Sequence, residues 1–253
     1  MATFKFCFRF QHPTRSTTNN IIKVSLRKIY STKFNQKDPT SSNKWLERQR
    51  RDIFVKQAGI ENYRCRSAFK LLQINEKFNI LLPGNIVIDC GAAPGSWCQV
   101  AVKKVNALET DPSKPKGLVI GIDLQHMAPI EGAFLLSCSD FTSDVTQAKI
   151  KTILGDRQAD VVLSDMAPAA TGMKSHNHEI IVNLCFSVLL FSLHVLKNGG
   201  TMLCKIWMGA DQKRLETAMN KVFEHVRVVK PEASRDDSSE IFLLGRGFKR
   251  NEK

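Results

Sequence analysis

Aspartate and glutamate are missing from the first 37 residues of this 253-residue chain, although Lys5, Arg9, Arg15, Lys23, Arg27, Lys28, Lys33 and Lys37 all lie there. The segment also lacks the roughly 7–15-residue apolar run of a secretory signal. A basic, acid-free opening rich in Ser, Thr, Asn and Phe reads as a mitochondrial presequence, with processing expected near Tyr30-Ser31. The alternative reading is a disordered basic tail that touches RNA. Of the formal net charge of +13, eight charges belong to this segment, so the remainder favours a polyanionic partner only moderately.

Other absences narrow the function class. The longest apolar stretch, residues 180–196, is interrupted by Asn183, Ser187, Ser192 and His194, so no membrane span is expected and a buried helix is. Seven cysteines occur without a C-x-x-C pair, and Cys90, Cys138, Cys185 and Cys204 sit in apolar segments, as reduced core thiols of a matrix or cytosolic protein do. His176 and His178 have no further Cys or His at ligand spacing, so no metal site is expected. No G-x-G-x-x-G occurs, which disfavours a nicotinamide or flavin cofactor. There is no internal repeat. The length suits one sizeable α/β core, giving a presequence over 1–37 and a single monomeric domain over 38–253 that opens with basic helices within 44–79.

What is present alternates. Helices are expected over 44–58, stopped by Gly59, and over 67–79, then near 96–105, 145–153, 179–196 and 212–223. Strands are expected over 85–90, 117–123, 133–138, 160–165, 200–206, 225–229 and 241–245. Their short continuous apolar runs fit a doubly wound, mostly parallel seven-stranded Rossmann-like sheet. The last two strands are joined by a polar loop without a helix, so they are expected to pair antiparallel at one edge.

In such a sheet, ligands sit beyond the carboxyl ends of the strands. The first strand runs into Gly91-Ala-Ala-Pro-Gly-Ser-Trp97, where small residues before a helix let backbone N–H groups approach a nucleotide-like cofactor. Asp123 ends the second strand, where its carboxylate can accept both ribose hydroxyls of an adenosine. Asp140 follows the third strand. Each Asp alone is more often a turn residue, and Trp97 equally suits a core. Lys70 points away from the apolar stripe of its helix, the usual place of a solvated charge. Arg48, Arg50, Arg51 and Lys56, followed by Arg64 and Arg66, offer phosphate contacts or a solvated face.

The phrases Arg66-Ser-Ala-Phe-Lys70, Val87-Ile-Asp-Cys-Gly-Ala-Ala-Pro-Gly-Ser-Trp97, Ser164-Asp-Met-Ala-Pro168, Cys204-Lys-Ile206 and Ser238-Ser-Glu-Ile241 resemble the FtsJ/RrmJ family of ribose 2′-O-methyltransferases. The likeness runs from about Trp45 to Lys249 and is nearest to the members that modify a uridine of mitochondrial large-subunit rRNA. It implies S-adenosylmethionine as cofactor, held by Gly91, Pro94, Gly95, Ser96, Trp97, Asp123, Asp140 and Asp165, with Asp140 at the adenine amino group. It also implies a catalytic tetrad of Lys70, Asp165, Lys205 and Glu240. Lys205 is expected as the base, with burial and neighbouring Lys70 favouring its neutral form. Asp165 and Glu240 are expected to orient the amines and hold the target ribose, and the loop 169–178 to close over the target nucleotide. Relatives with the same tetrad modify tRNA loops or cap ribose. An rRNA-binding assembly factor with dispensable catalysis and a small-molecule methyltransferase are the remaining alternatives.

Overall fold

A computed structural model of the chain describes residues 39–167, 174–209, 211–235 and 237–250. The presequence reading, Pro168 of the Ser164–Pro168 phrase and most of the expected 169–178 closing loop lie outside the described residues. Among the described residues there are seven helices: α1 (Pro39–Arg51), α2 (Ile53–Ile60), α3 (Ala68–Phe78), α4 (Ser96–Lys104), α5 (Asp144–Leu154), α6 (Lys174–Val195) and α7 (Gln212–Val222). The seven strands are β1 (Ile86–Cys90), β2 (Leu118–Ile122), β3 (Ala133–Leu136), β4 (Ala159–Ser164), β5 (Leu196–Trp207), β6 (Phe223–Val229) and β7 (Glu240–Phe248). The described residues up to Arg48 and those from Gln49 onward fall in separate units, and the whole sheet belongs to the second.

The sheet has the order β3-β2-β1-β4-β5-β7-β6. Strands β3, β2, β1, β4 and β5 pair in parallel, whereas β7 runs antiparallel to both β5 and β6. The doubly wound, mostly parallel sheet is as expected. The reversed strand, however, wedges one place in from the edge, and β6 is the edge. Chain order reverses between β1 and β4, which makes that junction the switch point where an open α/β sheet leaves a crevice.

Alternation along each strand sorts its residues onto two faces. Ile88, Cys90, Val162, Cys204, Ile206 and Leu243 pack into the core shared with residues of α5, α6 and α7. Val87, Val161, Leu163, Leu203, Phe242 and Leu244 pack into the opposite core, under α3 and α4. Both faces are buried, which is why the strands read as continuous apolar runs. In the apolar strands the same period leaves Asp89, Lys205 and Glu240 on the α3/α4 face, and Asp165, one residue past β4, falls in step with them. That parity decides where the polar site forms.

Two local differences from the expectation have clear causes. The helix expected over 44–58 is broken at Asp52, whose carboxylate accepts from Phe54 N at 3.0 Å and Val55 N at 3.3 Å and so caps α2. Gly59 lies inside α2 instead of ending it. In α6, the window His178–Val195 has the length and apolar composition of a membrane span despite its polar interruptions. The fold uses it as a core helix, with Ile181, Val182, Cys185, Val188 and Phe191 buried against the sheet.

Candidate active site

Lys70, Asp165, Lys205 and Glu240 meet on the α3/α4 face. The β4–β5 register sets Ser164 beside Cys204, so the next residue of each strand, Asp165 and Lys205, are neighbours. The antiparallel β5–β7 register sets Lys205 opposite Phe242, which makes Glu240, two residues away on the same face, its diagonal neighbour. Helix α3 then lays Lys70 over the pair.

The charges alternate. Lys70 Nζ lies 2.7 Å from Glu240 Oε1 and 3.9 Å from Asp165 Oδ1. Lys205 Nζ lies 2.9 Å from Asp165 Oδ1 and 3.9 Å from Glu240 Oε2, and it donates to the Asp165 main-chain oxygen at 2.5 Å. Two further hydroxyls orient the acids: Ser67 Oγ donates to Asp165 Oδ2, and Ser234 Oγ donates to Glu240 Oε1 at 2.8 Å. The Lys70 ammonium also sits 5.8 Å from the Phe242 ring centroid. With two cations and two anions in mutual contact, none of the four charges is stranded where water is scarce. The Lys205 side chain keeps only 8% of its exposure, against 17% for Asp165.

Asp165 also faces the other way. It lines a cleft of about 600 Å³ at the switch point, together with Gly91, Ala93, Asp123, Asp140, Phe141 and Met166 among others. Its lining is apolar at Ile122, Phe141, Met166 and Leu184 and carries the three carboxylates of Asp123, Asp140 and Asp165. That combination suits a flat purine nucleoside bearing hydroxyls, an amino group and a positive charge. Asp123 Oδ2 accepts from Ala93 N at 2.9 Å and Oδ1 from Gln125 N at 2.7 Å, which fixes the carboxylate at the cleft wall. Asp140 Oδ1 accepts from Thr142 N at 2.8 Å and Thr142 Oγ1 at 2.7 Å, so this residue also serves as the turn residue that its position after β3 first indicates.

The glycine-rich run divides its work. Gly91 lines the cleft, and its φ of +77° together with Met166 Cγ, only 2.0 Å from where a Cβ would stand, excludes any side chain. The Ala93–Pro94 peptide bond is cis. Gly95 caps α4 with a φ of +110°. Ser96 and Trp97 line a smaller adjoining hollow of about 80 Å³. Trp97 is also core, at 2% exposure, with Nε1 donating to Ser67 O at 2.8 Å and its ring 5.7 Å from that of Phe242.

Arg64 and Arg66, expected to contact phosphate, make hydrogen bonds within the chain. Arg64 donates through Nη1 to Pro94 O at 2.8 Å and through Nη2 to Pro129 O at 2.9 Å, stapling the cofactor-loop turn to the 124–132 segment. Arg66 pairs with Asp52 and donates to Ala233 O, tying α2 to the loop before β7. Its guanidinium affinity for a proton is lowered by burial and by Arg235, with Glu240 opposing. Arg50, Arg51 and Lys56 are exposed, as is Arg48 in the first unit.

Sequence reasoning passed over Asp89. It sits mid-pattern in β1, fully buried, with Oδ2 accepting from Cys98 Sγ at 3.2 Å and Oδ1 without a partner at the small hollow. The available signal was a carboxylate in an otherwise apolar strand. Burial pushes its carboxyl up from 3.8 to about 7, with Asp165 and Asp123 adding to the effect and the Cys98 thiol opposing it. The folded chain therefore holds this proton up to about pH 7, whereas the unfolded chain releases it near 3.8, so the folded state binds more protons throughout that window. Stability should fall as pH rises through it. Asp89→Asn is expected to remove the slope, adding roughly 2–4 kcal/mol relative to wild type at pH 8 and little at pH 4. Urea unfolding at both pH values measures this, and parallel pH dependences of the two proteins would contradict it. Burial likewise raises the thiols of Cys90 and Cys98, and contact with Cys185 raises that of Cys204, keeping them as protonated core groups. Among the described residues no three His, Cys, Asp or Glu side chains group as a metal site, and His176 lies outside the described side chains.

This geometry has counterparts. Residues 63–248 match the family model described as FtsJ-like methyltransferase. The chain is 47% identical over 209 residues to the mitochondrial rRNA methyltransferase 2 of Drosophila melanogaster, covering 83% of this chain and 84% of that protein. It is 48% identical to the ribosomal RNA large subunit methyltransferase E of Cereibacter sphaeroides over the same share of this chain and 85% of the relative. A crystal structure from Plasmodium falciparum, described as a ribosomal RNA methyltransferase, superimposes with a TM-score of 0.64 at 30% identity, covering 74% of this chain and 98% of that one. A match that spans the whole sheet, at nearly half identity to full-length relatives, establishes that the chain belongs to the FtsJ-like methyltransferase family.

Proposed function

We propose that the chain methylates the ribose 2′-hydroxyl of a uridine in mitochondrial large-subunit rRNA, using S-adenosylmethionine, and thereby contributes to ribosome biogenesis in the matrix. The observation that carries this reading is the alternating Lys70–Glu240–Lys205–Asp165 knot sharing Asp165 with a cleft of nucleoside chemistry. The carboxylates of Asp123, Asp140 and Asp165 and the apolar lining fit the cofactor's ribose, amino groups and positive charge. Bound there, it supplies an electrophilic methyl carbon on a sulfonium.

The chain's own residues account for the rest. Positioning contributes most, because the attacking oxygen must lie in line with the methyl carbon and its leaving sulfur. Lys205 is the base: once its ammonium has released a proton to solvent, the neutral amine takes the ribose hydroxyl proton, and Asp165 and Glu240 stabilise the ammonium that forms again. Asp165 holds the Lys205 amine through both its carboxylate and its main-chain oxygen, and it links the knot to the cofactor cleft. Glu240 and Lys70 hold the target ribose. Arg48, Arg50, Arg51 and Lys56 supply phosphate contacts. The rRNA methyltransferases among the relatives support rRNA as substrate, and the mitochondrial relatives together with the acid-free residues 1–37 support the compartment.

Arg64 is a positioning residue in this scheme. Arg64→Ala is expected to raise the KM for S-adenosylmethionine about 5- to 30-fold, corresponding to the loss of one to two kcal/mol of hydrogen bonding, with a smaller change in kcat. Arg64→Lys should rescue little, since a point charge cannot bridge two carbonyls as the guanidinium fork does. Equal kinetics in all three proteins would rule the staple out.

The whole reading is tested by incubating the purified chain with tritiated S-adenosylmethionine and either large-subunit rRNA transcript or mitochondrial tRNA. The expected product is rRNA label that resists alkaline hydrolysis at one uridine. Label confined to tRNA would move the substrate, and tight rRNA binding without label would make the chain an assembly factor.

A further inference from the structure

The end of α3 remote from the reaction site forms a second basic surface. In the β6–β7 register His225 faces Arg246, and Arg227 faces Leu244. Leu244 belongs to the core under α3, so His225, Arg227 and Arg246 stand on that same face. All three are exposed. With Lys77, Phe78 and Leu244 they line a groove of about 280 Å³. Through Lys77 and Phe78 the groove continues into a hollow of about 400 Å³ that reaches Lys230 and carries Glu76 and Glu232 among its lining residues.

Among the described residues no carboxylate pairs with Lys77, Arg227 or Arg246. Glu224, the nearest acid in sequence, falls on the opposite face of β6 by alternation. Clustered like charges on adjacent strands cost stability, and the α3 carbonyl end offsets them only within its last turn. A polyanion removes that cost. Two elements that line the groove and the hollow also reach the reaction site. Helix α3 carries Lys70 in its first turn and Lys77 in its last, about 10 Å apart along the axis. Lys230 opens the loop whose Ala233 oxygen accepts from Arg66 and whose Ser234 hydroxyl donates to Glu240.

We propose that this groove binds the phosphate backbone of the RNA segment flanking the target nucleotide, an inference that rests on the RNA-modifying reading above. It takes an anionic strand leaving the reaction site along α3 and β6, and it reads charge, not sequence.

The test is binding of a large-subunit rRNA transcript by the full chain across a KCl series, for wild type, Arg227→Gln/Arg246→Gln and Arg227→Glu/Arg246→Glu. The glutamine pair is expected to raise Kd about tenfold and to lower the slope of log K against log salt by about 1.4, the loss of two single-strand phosphate contacts. The glutamate pair should bind more weakly still, and matching melting temperatures check the fold. If the glutamate pair is unstable, the glutamine pair alone decides. Wild-type binding with unchanged Kd and slope in the variants overturns the groove's role. The same holds if RNA binding persists while association with ribosomal proteins is lost. A wild type that binds no transcript overturns the RNA reading itself.

Discussion

Replacing Lys205 with alanine is expected to lower turnover by roughly 10²–10⁴-fold, the usual contribution of a positioned base, while S-adenosylmethionine still binds. The second half of that expectation follows from the layout: Lys205 lies in the charge knot, and the cleft wall beside it is Asp165. The substitution also leaves Asp165 and Glu240 to share Lys70, so stability should drop by about 3 kcal/mol, and unfolding must be measured alongside activity. Lys205→Met, which keeps the stem, controls for the lost packing. Lys205→Arg separates the two roles the residue can have. A guanidinium preserves the positive charge between the carboxylates but cannot accept a proton at working pH. If Lys205 is the base, Arg rescues stability and not turnover. Recovery of turnover within about threefold by Arg would mean that charge neutralisation is its whole contribution, and proton transfer would have to be reassigned.

Gly91→Ala should be nearly as damaging by a different route. Its φ of +77° costs an ordinary residue about 1–2 kcal/mol, and the added methyl would stand 2.0 Å from Met166 Cγ, displacing a side chain that walls the cleft. Overpacking of that kind costs about 1–3 kcal/mol more, so the melting temperature should fall by roughly 5–15 °C. Cofactor affinity should weaken at least about tenfold, because the displaced Met166 lines the cleft. Gly59→Ala is the matched control. Nothing lies within 4 Å of its new methyl and the residue is inside α2, so that change should stabilise by about 0.5–1 kcal/mol. A Gly91→Ala protein with wild-type melting and cofactor affinity would show that the turn tolerates a side chain and that the cleft wall lies elsewhere.

The sequence carried the sheet and its site unusually far, for a reason visible in particular residues. Strands buried on both faces announce themselves as short apolar runs, and a lysine or carboxylate within one stands out. Lys205 between Cys204 and Ile206 had no bland explanation that fitted its strand, whereas Glu240, just before the strand expected over 241–245, was indicated by the family resemblance alone. The parity of 163 with 165, 203 with 205 and 240 with 242 then sends these charges to one face, and that face is the one α3 covers. Lys70 was harder to read, since a lysine off the apolar stripe usually faces solvent. It is half-buried because the sheet beneath it is charged.

The features that stayed illegible depend on contacts far apart in sequence. Asp52 breaks the first helix because its carboxylate both caps α2 and pairs with Arg66, fourteen residues on. The Arg64 staple is illegible because the Pro94 and Pro129 carbonyls reach it from two separate loops. The place of β7 between β5 and β6 follows from which neighbour completes its hydrogen bonds, and local pattern does not encode that choice. Asp89 carried the same signal as Lys205, a charge inside an apolar strand, but its raised carboxyl depends on complete burial and on Cys98, Asp165 and Asp123, which only the fold brings to it.

The central claim is most directly tested by mass-spectrometric mapping of ribose methylation on mitochondrial large-subunit rRNA from cells lacking this chain, complemented with wild type or Lys205→Ala. The account predicts that one 2′-O-methyluridine disappears, returns with wild type and does not return with Lys205→Ala. An rRNA methylation map unchanged by removing the chain would contradict it.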